Sequence, residues 1–327
     1  MSLDGTWDQY HWRTSRLGHE ELVGGHLFKG LLAVGPRDGS WLRYIPYGGH
    51  SSDPFVAVEK AVSERVERMT WFVSWQIMKG HGFDAAKYNT VGWAAHMTEV
   101  SARRASLGEY LERHFLESII AALLGSSDSE NILHSAIEVD STVLSSHLGT
   151  IDFSFHIPMY LAEEKIYLSF VIIGCRLRDN DAQHSGLVFG MGHASRLDEA
   201  TSSAKVEAYL VATAVRNSLG GKHTRKNTEN LAYREAAYFS ELYSNPLIYG
   251  RALDLFGSMR SKVHVNDQEP LVPVRVPGHA TLDLSSLQAS WLRQLSRRVC
   301  YTGNPDAAQF QALLSVCSNP PISVSSD

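Results

Sequence analysis

Three stretches of this chain align on one another, and that alignment limits what it can fold into. In the first, Gly49-His50 leads through Ala57 and Lys60 to Glu64-Arg-Val-Glu67-Arg68. In the second, Gly92 leads through His96, Ala102 and Ala105 to Glu109-Tyr-Leu-Glu112-Arg113, and in the third Gly192-His193 leads through Ala200 and Ser203 to Glu207. Each copy reads as a glycine turn feeding a helix that presents glutamate at one register. Repeated units of this kind bury their apolar faces against one another rather than alone. The repeat therefore predicts a single domain over 1–327, with lobes at about 1–90, 91–186 and 187–327. No long low-complexity linker interrupts it, which suits similar lobes better than separate beads.

Periodicity fills in the elements. Val56, Val58, Ala61, Val62, Val66 and Met69 recur at helical spacing behind the cap and first-turn pair Asp53-Pro54, predicting a helix from Asp53 to about Met78. A second helix is expected from about Thr98 to Leu124, before a polar break at Gly125–Glu130, and a third from about Asp198 to Asn217, ended by Gly220-Gly221. Short β-prone runs lie between them at Ile151–Ile157, Ile166–Ile173 and Leu187–Phe189. A helical region at Glu229–Met259 precedes an extended segment punctuated by Pro270, Pro273 and Pro277. The fold class expected is α+β, with mixed sheets and glutamate-bearing helices. With 30 Lys+Arg against 35 Asp+Glu, binding of nucleic acid by charge alone is disfavoured. The apolar run Ile166–Cys175 is about half a bilayer span, and no secretion signal is visible, so the expectation is a cytoplasmic chain without a membrane segment. Cys175, Cys300 and Cys317 lack the paired spacing of a zinc knuckle and read as reduced thiols.

The chemistry lies in the carboxylates. Glu64 and Glu67, like Glu109 and Glu112, are three residues apart and share a helix face. Two facing helices carrying such pairs would gather four carboxylates, which repel and protonate in an interior unless hard cations neutralise them. Magnesium suits such a set, and because it keeps sites for water and phosphate oxygens, a triphosphate would complete its shell. Arg68 and Arg113, directly after each pair, are placed to orient a carboxylate or meet phosphate. A single Glu-x-x-Glu-Arg is ordinarily a solvated face with helix salt bridges. Two copies in matching surroundings, plus a third glutamate, favour the functional reading.

These residues resemble the YcaO family, whose members bind ATP and magnesium in one cleft lined by glutamates and activate peptide-backbone amides. The resemblance rests on Ala-Val-Ser-Glu64-Arg-Val-Glu67-Arg68, on Asn89-Thr-Val-Gly92-Trp-Ala-Ala followed by Leu-Gly-Glu109-Tyr-Leu-Glu112-Arg113, and on Gly190-Met-Gly192-His193 followed by Glu207. It covers roughly 45–221; Asn217-Ser-Leu-Gly220-Gly221 and Tyr301-Thr-Gly-Asn are weaker matches to the subunit of microcin-type azole synthetases. The resemblance implies that Glu64, Glu67, Glu109 and Glu112 hold magnesium, that Lys60, Glu207 and Arg113 join them around ATP with Arg113 on phosphate, and that Glu64, Glu112 and Arg113 serve the reaction. Lys60 stands where the family commonly has serine. Two departures bear on the metal: Ser101 replaces a usual acidic residue, leaving Glu99 as a substitute, and Met97 replaces a usual asparagine. In the third lobe Leu210 takes the place of a second glutamate.

The activity so implied is formation of azolines from Ser, Thr or Cys of a ribosomal precursor peptide. A leader-binding partner related to ubiquitin-activating enzymes and a flavin dehydrogenase are the expected companions. Thioamide or amidine formation and a non-catalytic scaffold are the alternatives. Other motifs weigh less. Gly190-x-Gly192-x-x-Ser195 is an imperfect dinucleotide fingerprint without a second βαβ unit, and Gly220-Gly-Lys222-His lacks the spacing of a phosphate loop. There is no His-Glu-x-x-His and no Gly-x-Ser-x-Gly elbow. His50 and His193, each next to a repeat glycine, are the histidines placed for site contacts, while Trp71, Phe72 and Trp75 read as core.

Overall fold

A computed structural model describes residues 6–22, 25–83, 90–125, 133, 136–138, 149–179, 182–219, 238–260, 272–273 and 277–318. Asn89, most of the break at 126–130, the Gly220-Gly221-Lys222 segment, 229–237 of the expected helical region and Pro270 lie outside the described residues. The chain packs into two compact units, Met1–Leu111 with Val276–Asp327, and Glu112–Arg275. Each is built of antiparallel sheet and long helices, so the class is α+β.

The first unit opens with β1 (Tyr10–Thr14), β2 (Gly18–Leu22), β3 (Gly25–Pro36) and β4 (Arg43–Ser51). The long β3 is central: β1 and β2 pair with its two halves along one edge and β4 with the other, all antiparallel. Periodicity does not announce this sheet, because glycines and charged residues break the alternation in Gly18-His-Glu-Glu-Leu22 and Gly25-His-Leu-Phe-Lys-Gly30. Helix α1 (Pro54–Gly80) packs on β4 and β3. Its start follows the sequence expectation: Pro54 occupies the first turn, where no intrahelical N–H is needed, and the Asp53 carboxylate accepts from Phe55 N at 2.8 Å. From Val66 onward α1 is buried nearly all round, with Trp71, Phe72 and Trp75 in the core as expected. A second sheet pairs β5 (Trp93–His96), β12 (Arg298–Gly303) and β11 (Ala280–Asp283), antiparallel with β12 central. Helix α5 (Ala308–Ser318) follows it and packs on α1.

Helix α2 (Glu99–Leu123) gives its residues up to Leu111 to the first unit and the rest to the second. There β7 (Gly149–Leu161), β8 (Ile166–Asp179) and β9 (Ala182–Ala194) form an antiparallel sheet, with β6 (Ile137–Glu138) antiparallel and β10 (Val272–Pro273) parallel along the free edge of β7. Helix α3 (Leu197–Leu219) covers one face at Gly190 and Gly192. Helix α4 (Pro246–Arg260) covers the other, where Phe256 stacks on Phe155 with centroids 4.2 Å apart. Burial on both faces explains why β8 reads as a continuous apolar run rather than an alternating one. Among the described residues, no helix is long and apolar enough to cross a membrane.

The repeat glycines are where the structure corrects the sequence reading. Gly92 does sit in a turn with φ 77°, but Gly49 and Gly192 lie inside strands β4 and β9. Glycine is needed there because the following helix crosses directly over the strand. A Cβ on Gly49 would collide with Ala57 O and Ala61 N, and one on Gly192 with Ala200 O and, at 2.7 Å, Ala204 N. The same offsets recur in both copies, and all four alanines are fully buried. Gly192→Ala should therefore overpack this contact and cost about 1–3 kcal/mol in urea denaturation. Gly250→Ala, inside α4 with no atom within 4 Å of the added methyl, should instead stabilise by about 0.5–1 kcal/mol.

Buried polar groups join α3 to the sheet. His156 Nε2 lies 2.9 Å from Ser169 Oγ and 3.3 Å from Thr201 Oγ1. Burial, reinforced by Lys205, pushes the His156 pKa down to about 4. A histidine held neutral in the fold binds fewer protons than in the unfolded chain between that value and its ordinary one. Its contribution is thus complete above pH ~6.5 and lost as pH falls toward 4, with a slope of up to ~1.4 kcal/mol per pH unit. Denaturation midpoints measured across this window should fall in the wild type and flatten in His156→Gln.

Candidate functional site

In the first unit the close crossing of β4 and α1 brings a strand N–H within reach of a helix carboxylate. Gly48 N donates to Glu64 Oε2 at 2.7 Å, and Arg68, one turn along α1, donates from Nη2 to Glu64 Oε1 at 3.0 Å. Glu67 lies on the same face, 3.7 Å from Arg68 Nη1, and is buried. Burial pushes its carboxyl up to about 8, against the pull of Arg68 and with a further push from Glu64. The Arg68 guanidinium is shared between two neighbouring carboxylates. Lys60 stands exposed one turn before Glu64, and its Cβ packs close to Gly49.

Glu109 follows from how α2 is fixed in the same unit. Gly92 is required both by its left-handed φ and because a side chain would meet Thr302 O, and its carbonyl accepts from Thr302 N at 2.8 Å. Ser106, one turn before Glu109, meets Thr302 through their hydroxyls at 2.7 Å, and Thr302 meets Thr281 at 2.8 Å. Ser101 and Met97, the two departures from the resemblance, lie in this unit. Ser101 N donates to the Thr98 hydroxyl at 3.1 Å and its own Oγ accepts from it at 2.9 Å, so Ser101 belongs to the helix cap. Met97 is more than half exposed, and Glu99 gives its carboxylate to Arg103 at 2.8 Å.

The second unit repeats the first arrangement. Met191 N on β9 donates to Glu207 Oε2 on α3 at 2.8 Å, sixteen residues apart as are Gly48 and Glu64. Glu112 is buried and has His193 Nδ1 2.9 Å from its Oε1. Of the two histidines singled out by their place beside repeat glycines, His193 thus does reach a site carboxylate. Arg113 sets its guanidinium 5.7 Å from the Phe239 ring centre, a cation–π contact that holds the charge beside α2. Leu210 is exposed where a second glutamate would extend the face.

Among the described residues no three His, Cys, Asp or Glu side chains are gathered closely enough to hold a metal ion. Arg68 contacts Glu64 and Glu67, and His193 contacts Glu112. The donor set nevertheless fits magnesium: Glu64 and Glu67 offer hard oxygens, and Glu67 is a buried carboxyl lacking the charge a cation would bring. The cysteines offer no nucleophile, since burial pushes Cys175 and Cys300 up to about 12 and Cys317 to about 11.

No protein-family model matches this chain, and no curated protein does. Among solved structures it is similar to YcaO from Methanopyrus kandleri bound with AMPPCP and Mg2+, at 13% sequence identity and a TM-score of 0.47, over 91% of this chain and 87% of that one.

If Glu64 and Glu67 take up magnesium, adding Mg2+ should raise the melting temperature of the wild type but not of Glu67→Gln. The substitution alone should leave the metal-free chain at pH 7 close to wild type, because glutamine resembles the neutral acid that burial favours. Equal Mg2+ shifts in both proteins would place the cation elsewhere.

Proposed function

We propose that the chain is an ATP- and Mg2+-dependent enzyme of YcaO type that activates backbone amides of a ribosomal precursor peptide and forms azolines from its Ser, Thr or Cys residues. One observation carries the reading: Glu64 and Glu207 are held alike, each by a strand N–H sixteen residues earlier in a glycine-enabled crossing. A solvated helix face has no need of such a device.

In this reading Glu64, Glu67, Glu109 and Glu112 take the cations, Glu207 and Lys60 serve the nucleotide, and Arg113 meets phosphate. ATP and Mg2+ supply the phosphoryl group and the neutralisation of its charge. The chain's residues bind and orient. Gly48 N and Met191 N fix the glutamate rotamers before anything arrives, and preorganised charge of this kind is where phosphoryl-transfer catalysis gains most. His193 holds Glu112 on one oxygen and leaves the other for a ligand. In the reaction a Ser, Thr or Cys side chain adds to the preceding carbonyl, the oxygen leaves as phosphate, and the peptide loses one water per residue. A leader-binding partner related to ubiquitin-activating enzymes and a flavin dehydrogenase belong to the same proposal.

The test is mass spectrometry of the precursor peptide after incubation with ATP, Mg2+, this chain and its partners. Water loss per modified residue supports the proposal; exchange of oxygen for sulfur would make it a thioamide synthase. An unaltered peptide together with no ATP hydrolysis would make the chain a scaffold. Glu64→Gln and Glu112→Gln keep their hydrogen-bond acceptors but not their charge, so each should slow turnover by about two to three orders of magnitude with little change in melting temperature.

A further inference from the structure

Between β11 and β12 the chain turns through a 3-10 segment, Ser285–Leu287, and a single helical turn, Ser290–Arg293, then enters β12 through Ser296 at φ 52°. This excursion and Met97 enclose a pocket of about 600 Å3 in the first unit, within the size range of small-molecule sites. Arg293, Arg297 and Arg298 line it, with Asp283, Ser286 and Met97 among their neighbours. Its lining carries three guanidiniums and one carboxylate: Asp283 accepts from Ser285 N at 2.9 Å, and Arg297 is paired with Glu59 outside the lining.

The three arginines differ in how they are held. Arg297 is buried and fixed: Nε donates to Ser63 Oγ at 3.0 Å, Nη1 to Leu295 O at 3.2 Å, and Nη2 to the Glu59 carboxylate. A guanidinium carries five N–H donors, so these three bonds do not exhaust it. Arg293 and Arg298 are exposed; Arg293 touches Ser286 O at 3.1 Å, and Arg298 pairs across the strand with His96. His96 is held below its ordinary pKa by desolvation first, and then by the charges of Arg297 and Lys60 against the opposing pull of Glu59. Positive charge in a concave site, with hydroxyls on its wall and a thioether at its edge, recognises oxyanions.

We propose that this pocket binds a small anionic ligand through its phosphate or carboxylate oxygens, with Arg297 as the fixed anchor and Arg293 and Arg298 closing on it from the rim. Unlike the glutamate sets, it needs no divalent cation, so its occupancy is independent of magnesium.

The experiment uses the full chain, labelled with [methyl-13C]methionine, in EDTA. Inorganic phosphate and succinate are titrated separately, and the Met97 methyl signal, identified by Met97→Leu, is followed. The expected result is a saturable shift that weakens with added salt, and an apparent Kd raised about tenfold or more in Arg293→Gln/Arg298→Gln. Tighter phosphate binding assigns the ligand as phosphorylated, and tighter succinate binding as a carboxylate. No saturable shift with either anion would overturn the proposal. So would equal affinity in the double variant, or in Arg298→Gln alone should the double variant melt below the wild type.

Discussion

Glu64 and Glu207 both depend on a strand and a helix meeting with no side chain between them. At Gly49 against Ala57 and Ala61, and at Gly192 against Ala200 and Ala204, the approach is too close for a Cβ. That proximity lets Gly48 N reach Glu64 and Met191 N reach Glu207. A charged carboxylate that accepts a backbone N–H is held more firmly than one relying on a flexible side chain, because the donor moves only with its sheet. A methyl group at either glycine would separate the helix from the strand and lengthen the hydrogen bond with it.

The second constraint is electrostatic. Glu67 is buried beside Glu64 with Arg68 shared between the two, and Glu112 is buried against His193. Apolar residues at such positions would serve stability at least as well, since removing charges from water costs several kcal/mol per ion. Their presence is what distinguishes these helix faces from ordinary amphipathic ones. Ser101, drawn into the cap of α2, and Glu99, paired with Arg103, have local duties.

Much of this was legible in the residues. Asp53-Pro54 marked the start of α1, and a helix from about Thr98 to Leu124 was expected where α2 lies, because capping and helical periodicity are local properties. The buried strands β7 to β9 were visible as apolar runs, although shorter than they are. The N-terminal sheet was not legible: β3 depends on pairing with three partners, and its glycines Gly25, Gly30 and Gly35 lie where neighbouring side chains or backbone fill the space. The arginine pocket was equally hidden, since Arg297 meets Glu59 and Ser63 only across more than two hundred residues of chain.

By itself the sequence determined which glutamates share a register and that Gly49, Gly92 and Gly192 recur before them, because helical spacing is set by bonds within a few residues. Only the tertiary structure decided what those glycines are for. Two of the three proved to be strand positions crossed by a helix rather than turns, since that distinction depends on which backbone lies over the missing Cβ. Tertiary structure likewise decided that Gly48 and Met191 donate to Glu64 and Glu207, and that His193 rather than a lysine or arginine meets Glu112. Such contacts arise only when elements distant along the chain are packed together, and no local pattern encodes them.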